Sequence, residues 1–194
     1  MNPIHTETHR GLTIKLHHDP DPGSPREWSN LGTMYCKNRS HTLGDKDAAP
    51  PPRANVVRLP LYLYDHSGIT MSTKPFSCPW DSGQVGVIYC TYERIRKEYD
   101  LNPGEIPGET IRRVIEILEQ EVRTYDAYLR GDVYGYEVEN QDGDHIDSCW
   151  GFYQNERPDA NDSYVLMEAR ALAAHHADKI EKTETETQIA ECCP

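Results

Sequence analysis

Seven apolar residues, Ile111, Val114, Ile115, Leu118, Val122, Tyr125 and Leu129, recur mainly at intervals of three and four, and this stripe constrains the fold more than any other feature of the chain. Side chains three and four apart share one face of an α-helix. The spacing therefore predicts a helix over Glu109–Leu129 with one side committed to a core. Glu109 with Arg113, and Glu119 with Arg123, stand four apart on its outer turns, where opposite charges support the helix. Arg130-Gly131 supplies an end, because glycine enters the left-handed conformation of a helix cap without steric cost.

An amphipathic helix needs an apolar surface to cover, and the flanking segments read as strands. Gly11–His17 alternates Leu12, Ile14 and Leu16 with Thr13 and Lys15, the period of two expected of a half-buried strand. Leu59–Tyr64 reads as a strand, Asp65-His66-Ser67-Gly68 as a turn, and Ile69–Thr73 as its return. Val85–Tyr92 follows, then a short helix that begins near Tyr92 or Glu93 and ends before Pro103. Beyond the long helix, Val133–Glu139 sets Tyr134, Tyr136 and Val138 against Val133, Gly135, Glu137 and Glu139. Asp142-Gly143 reverses the chain into a return over Ile146–Trp150. Ser163–Lys179 predicts a last helix lined by Leu166, Ala169, Ala173 and Ala177.

This order implies an α+β fold: a mainly antiparallel sheet with the long amphipathic helix and a second, C-terminal helix packed on one face. One domain is expected over residues 1–180, with an exposed Pro-rich insertion near 45–55 and a flexible acidic tail over 181–194.

With 194 residues the chain can bury a substantial core. Its formal net charge of −12 argues against nonspecific nucleic-acid binding, which needs Lys and Arg to neutralise phosphates. No segment has the length and apolarity to span a bilayer, and no basic start precedes an apolar run, so no membrane contact and a cytoplasmic location are expected. Six cysteines without a CxxC spacing read as structural or incidental thiols, and the histidines form no zinc array, so neither a metal nor a cofactor is expected.

Asp65-His66, the Asp144-His145-Ile146-Asp147 cluster and Cys149 are the reactive groupings. Each fits turn chemistry, in which Asp and Ser bond to nearby backbone. Together they also leave open a small hydrolase with a His/Cys/Asp cleft, since a carboxylate can orient an imidazole that activates a thiol. Trp80-Asp81-Ser82-Gly83 reads as a turn anchored by Trp80, without the setting of a nucleophile elbow. No residue is assigned as catalytic.

Acidity is concentrated where order is also expected. From Asp132 to Asp147 there are six carboxylates and no lysine or arginine. Glu137 and Glu139 share a strand face, separated by roughly 7 Å of rise, which is about two steps of 3.4 Å along one DNA strand. Asp142, Asp144 and Asp147 continue the charge through the turn and return. These five are the candidate partner-binding residues, and a solvated acidic sheet face is the other reading of them.

Four phrases, LPLYLYDHSGITMST at Leu59–Thr73, CPWDSGQVG at Cys78–Gly86, YDAYLRGDVYGYEVE at Tyr125–Glu139 and DSCWGFY at Asp147–Tyr153, together resemble a family of small acidic, largely uncharacterised proteins of bacteria, phages and other mobile elements. The resemblance covers about Leu59–Tyr153 and brings no catalytic residues with it. It implies an inhibitor of a host defence system, of the anti-restriction or anti-CRISPR type, that imitates nucleic acid. The partner would be a basic surface of a host nucleic-acid-processing protein or complex, with no direct contact to nucleic acid. A non-enzymatic structural or regulatory phage protein is the remaining alternative, and a homodimer stays open.

Overall fold

A computed structural model describes residues 2–192 of the chain. The fold is α+β, with antiparallel strand pairing throughout the described residues. The single sheet expected from the sequence is instead two four-stranded sheets, each with its own hydrophobic core. Where one domain over 1–180 was expected, the chain divides into two compact units. The first joins residues Met1–Pro22 to Asp132–Pro194, and the second is the continuous segment Gly23–Gly131.

In the first unit, β1 (His5–His9), β2 (Leu12–His18), β7 (Val133–Glu139) and β8 (His145–Tyr153) form a sheet in that spatial order. Leu12, Ile14 and Leu16 meet Tyr134, Tyr136 and Val138 on one face, in the register Ile14 to Val138 and Leu16 to Tyr136. That face is closed by α3 (Tyr164–Cys192) through Val165, Leu166, Ala169, Ala173 and Ala177. Alanines at these positions let the helix lie close to the sheet. The expected tail is helical: α3 continues past Lys179 to Cys192, and residues 193 and 194 lie outside the described residues. Arg10 donates to Asp178 at 2.6 Å and to Glu181 at 3.0 Å, tying the β1–β2 turn to this continuation.

β1 was not expected. Its sequence, HTETH, is polar on both faces and suits the edge strand that it is. Glu7 nevertheless meets α3, accepting two 2.7 Å hydrogen bonds from Arg170. The chain leaves this unit after β2 and re-enters it at β7, and the two strands are adjacent partners: His18 lies opposite Tyr134, and the Asp19 N–H donates to the Val133 carbonyl at 2.8 Å. Topologically the second unit is thus the loop of a β2–β7 hairpin.

In the second unit, β3 (Thr33–Cys36), β6 (Ser82–Thr91), β4 (Val56–Asp65) and β5 (Ile69–Ser72) form the sheet in that spatial order. Pro60 lies within β4, which would be unfavourable inside a central strand. Here β5 reaches only Tyr62–Asp65, so the edge at Pro60 asks for no donor. The short helix α1 (Tyr92–Glu98) is capped by the Thr91 hydroxyl, which accepts from the Arg94 N–H at 3.3 Å.

The long helix is α2 (Gly108–Arg130). Val114, Leu118, Val122 and Tyr125 are buried against Met34, Leu61, Leu63, Met71 and Ile88, as the periodic stripe requires, while Ile111, Ile115 and Leu129 are partly buried at its margins. Gly131 ends it at φ +75°, its N–H bonded to the Tyr128 carbonyl at 3.1 Å.

One charged cluster is built into this unit. The Arg26 guanidinium, only 4% exposed, donates to Asp45 at 2.6 and 3.1 Å, to Glu121 at 3.0 Å and to the Gly32 carbonyl at 2.8 Å. Glu121 Oε1 also accepts from the N–H groups of Leu31 and Gly32, and Asp45 from that of Met34. Asp45 is therefore a fixed, half-buried part of this cluster, whereas the sequence reading puts it in an exposed insertion. That insertion is further pinned at Ala49, whose carbonyl accepts from the Tyr89 hydroxyl at 2.9 Å. Among the described residues no helix is long and apolar enough to cross a membrane.

Candidate acidic interface

The β7–β8 hairpin forms because β7 alternates aromatic and small or charged residues, and because Asn140-Gln141-Asp142-Gly143 can turn. Asn140 Oδ1 accepts from the N–H groups of Asp142 at 2.9 Å and Asp144 at 2.8 Å, and its Nδ2 donates to Asp144 Oδ2 at 3.0 Å. Gly143 takes φ +85°, a conformation that a residue with a Cβ disfavours. The register pairs Glu137 with Ser148 and Val138 with Asp147, with irregularities after Tyr134 and after Val138. Gly151, at φ +84°, is the extra residue at the first of these.

This geometry separates the five candidate carboxylates. Glu137 and Glu139 do share a face, the one turned away from the α3-covered core. There they meet β2: Lys15 lies directly opposite Glu137 and reaches diagonally to Glu139 at 2.6 Å, and His17 Nε2 stands 3.5 Å from Glu137. Asp147 points to the opposite face, where His176 of α3 meets it at 3.0 Å. The His176 hydrogen bond, helped by the Ser148 N–H at 2.8 Å, holds the Asp147 carboxyl below its ordinary value. Asp142 and Asp144 stand exposed at the tip, with Asn140 bonded to Asp144 and, among the described residues, no cation on either. The tip is therefore the least compensated part of the hairpin.

Charge is unevenly divided between the units. The second unit holds 14 Lys and Arg against 14 Asp and Glu, whereas the first holds 6 against 18. The whole net charge of −12 falls on the first unit. This partition is invisible along the sequence, because the acidic unit is assembled from the two ends of the chain.

The same face of the first sheet carries a buried histidine that the sequence did not single out. His17 is 5% exposed, and among the described residues neither ring nitrogen has a hydrogen-bond partner. Its ring centroid lies 6.1 Å from that of Trp150, which covers Gly135 so closely that a Cβ there would fall 2.1 Å from Trp150 Cε3.

The reactive groupings fall apart by unit. Asp65 and His66 lie at the β4–β5 turn of the second unit, while Cys149 lies exposed on β8 of the first. Asp65 is met not by its neighbour but by His41 Nε2 at 2.8 Å, and His66 Nδ1 stands 3.4 Å from Asp81. Ser67 at φ +57° completes a tight turn. Trp80 does not anchor the Trp80–Gly83 segment, being 91% exposed; the Ser82 hydroxyl holds it by donating to the Cys78 carbonyl. Among the described residues no three His, Cys, Asp or Glu side chains converge so as to hold a metal ion. Comparison of the chain with protein-family models, with curated proteins and with solved structures finds no match.

Proposed function

We propose that this chain binds and inhibits a nucleic-acid-processing host defence complex through its acidic first unit, imitating nucleic acid toward a basic surface. One observation carries the reading: the net charge of −12 resides in one compact unit, built on a sheet and a helix, and not in an unstructured tail. Charge held on a scaffold presents a persistent field, which steers a basic partner and raises its association rate. Of the hairpin residues, Asp142 and Asp144 are the leading contacts, because Glu137 and Glu139 already face Lys15 and His17, and Asp147 faces His176. A partner's arginines would have to displace Lys15 and His176 to use them fully.

The test is competition. The chain is mixed with a purified basic restriction or interference complex, and complex formation is followed as salt rises and as duplex DNA is added. Mimicry requires that DNA and the chain exclude each other, and that D142N/D144N weaken binding more than E137Q/E139Q in folded protein. Equal inhibition by a folded variant neutralised at all five positions would end the assignment to this hairpin.

A further inference from the structure

A second site of opposite sign lies in the other unit. The segment Cys36–Leu43, between β3 and the charged cluster at Asp45, curls around a cleft of about 570 Å³ lined by Cys36, Lys37, Asn38, Arg39, His41 and Leu43, with Thr42. We propose that this cleft binds a small phosphate-bearing ligand, with Lys37 and Arg39 as the charged contacts and His41 as a held polar contact. The proposal is independent of the acidic interface, which belongs to the first unit.

Charge is the first argument. The lining holds a lysine, an arginine and a histidine, and no carboxylate. Among the described residues neither Lys37 nor Arg39 has a carboxylate partner; the Lys37 ammonium lies only over the Tyr35 ring, at 5.9 Å from its centroid. In a unit with as many acidic as basic residues, a lining with Lys37 and Arg39 and no Asp or Glu is a local excess of basic side chains.

Order is the second. The start of the loop is fixed by the Lys37 N–H on the Val85 carbonyl at 2.7 Å, and its middle by Asn38 Oδ1, which accepts from Ser40 and His41. His41 is tied to Asp65 at 2.8 Å, Leu43 is buried in the core, and the Gly44 N–H donates to the Tyr125 hydroxyl at 3.1 Å. A loop held at five points loses little freedom when a ligand arrives, so its contacts are not consumed in ordering it. Asp65 takes Nε2 of His41 and leaves Nδ1 as the ring nitrogen for a ligand. Asn38 Nδ2 and the Thr42 hydroxyl add further donors.

Ligand class follows from the same features. A guanidinium matches phosphate oxygens with two parallel N–H donors, and an ammonium binds the same group as a point charge. The cleft volume falls in the range of about 300–1,000 Å³ typical of small-molecule sites. A long polyanion would instead need a continuous basic track, and a chain of net charge −12 repels one. Cys36 does not oppose an anion: burial pushes its thiol up to about 11, so it remains uncharged at neutral pH.

Titration of the full chain at low salt, followed by amide and side-chain NMR signals, tests the site with inorganic phosphate, adenosine monophosphate and an unphosphorylated single-stranded oligonucleotide. Saturable shifts at Arg39 and His41 with the first two probes are expected. K37A/R39A should weaken them by about tenfold or more, the loss of two charge-assisted contacts. D65N should weaken them less, and D142N/D144N in the other unit not at all. Because Lys37 and Arg39 are exposed, the double variant keeps its fold, which its own amide spectrum verifies. Absence of saturable shifts at Arg39 and His41 in the unmodified chain overturns the proposal without any variant. Equal affinity for the oligonucleotide at the same residues overturns the small-ligand assignment.

Discussion

Replacing Arg26 with methionine is the sharpest probe of the fold, because its effect can be reasoned from one set of contacts. Methionine keeps most of the stem and removes the guanidinium, and with it the hydrogen bonds to Asp45, Glu121 and the Gly32 carbonyl. What remains are two carboxylates, with side chains 23% and 10% exposed, that still accept backbone N–H groups but have lost their cation. Removing one partner of a buried ion pair costs about 3–5 kcal/mol, mostly for the charge left behind. Asp45 retains some water, so the lower end, about 3 kcal/mol, is expected here. With a urea dependence of about 1–3 kcal/mol per molar, the unfolding midpoint should fall by about 1–3 M. Amide signals of Leu31 and Met34 report the second unit specifically, which keeps the measurement clear of the other core. The triple variant R26M/D45N/E121Q should recover part of the loss, since it carries no uncompensated charge. A loss below about 1 kcal/mol for R26M, the range of an exposed pair, would refute the view that this cluster is a buried element of the fold.

Three further outcomes follow from contacts described above. G135A drives a Cβ to 2.1 Å from Trp150 Cε3 and 2.9 Å from the Cys149 carbonyl, so the indole must move; a loss of about 1–3 kcal/mol and a changed tryptophan emission spectrum are expected, and an unchanged spectrum would count against the contact. Hydrogen bonding from Arg170 holds the Glu7 carboxyl below its ordinary value of 4.5. A carboxylate lowered on folding adds stability above its unfolded pKa and loses it as pH falls through the folded one. Stability should therefore fall more steeply from pH 5 downward in the native chain than in E7Q, measured by urea unfolding at each pH. Burial pushes the Cys90 thiol up to about 11, whereas Cys149 is exposed. Site-resolved mass spectrometry after brief maleimide treatment at neutral pH should find Cys149 labelled and Cys90 labelled only in denaturant.

Local periodicity made α2 legible, because seven apolar positions at helical spacing leave little choice of structure, and the alternation of β7 assigned its faces correctly. Pairing at a distance was not legible. β2 meets β7 across more than a hundred residues, and nothing in Leu12–His18 names its partner, so one core was expected where two exist. β1 escaped because an edge strand with polar residues on both faces has no period-two signal. The continuation of α3 beyond Lys179 has no apolar stripe to reveal it, although Arg10, which bonds Asp178, also meets it at Glu181. At the hairpin, the sequence could place Glu137 and Glu139 on one face, but not Lys15 and His17 beside them or His176 against Asp147. Those partners come from β2 and α3. For the same reason His41, not His66, stands against Asp65.

The position of the second unit within a β2–β7 hairpin also sets an order of assembly during synthesis. Gly23–Gly131 is contiguous and can close on itself as soon as it clears the ribosome, in keeping with the tendency of domains to fold as they emerge. β1 and β2 are made first yet must wait, for their apolar face has no cover until β7 and α3 appear. A chain that reaches Gly131 but stops before Val133 can therefore complete the neutral unit but not the acidic one. The acidic surface is assembled only after β7 and α3 have been made, so their synthesis is a precondition for whatever that surface meets.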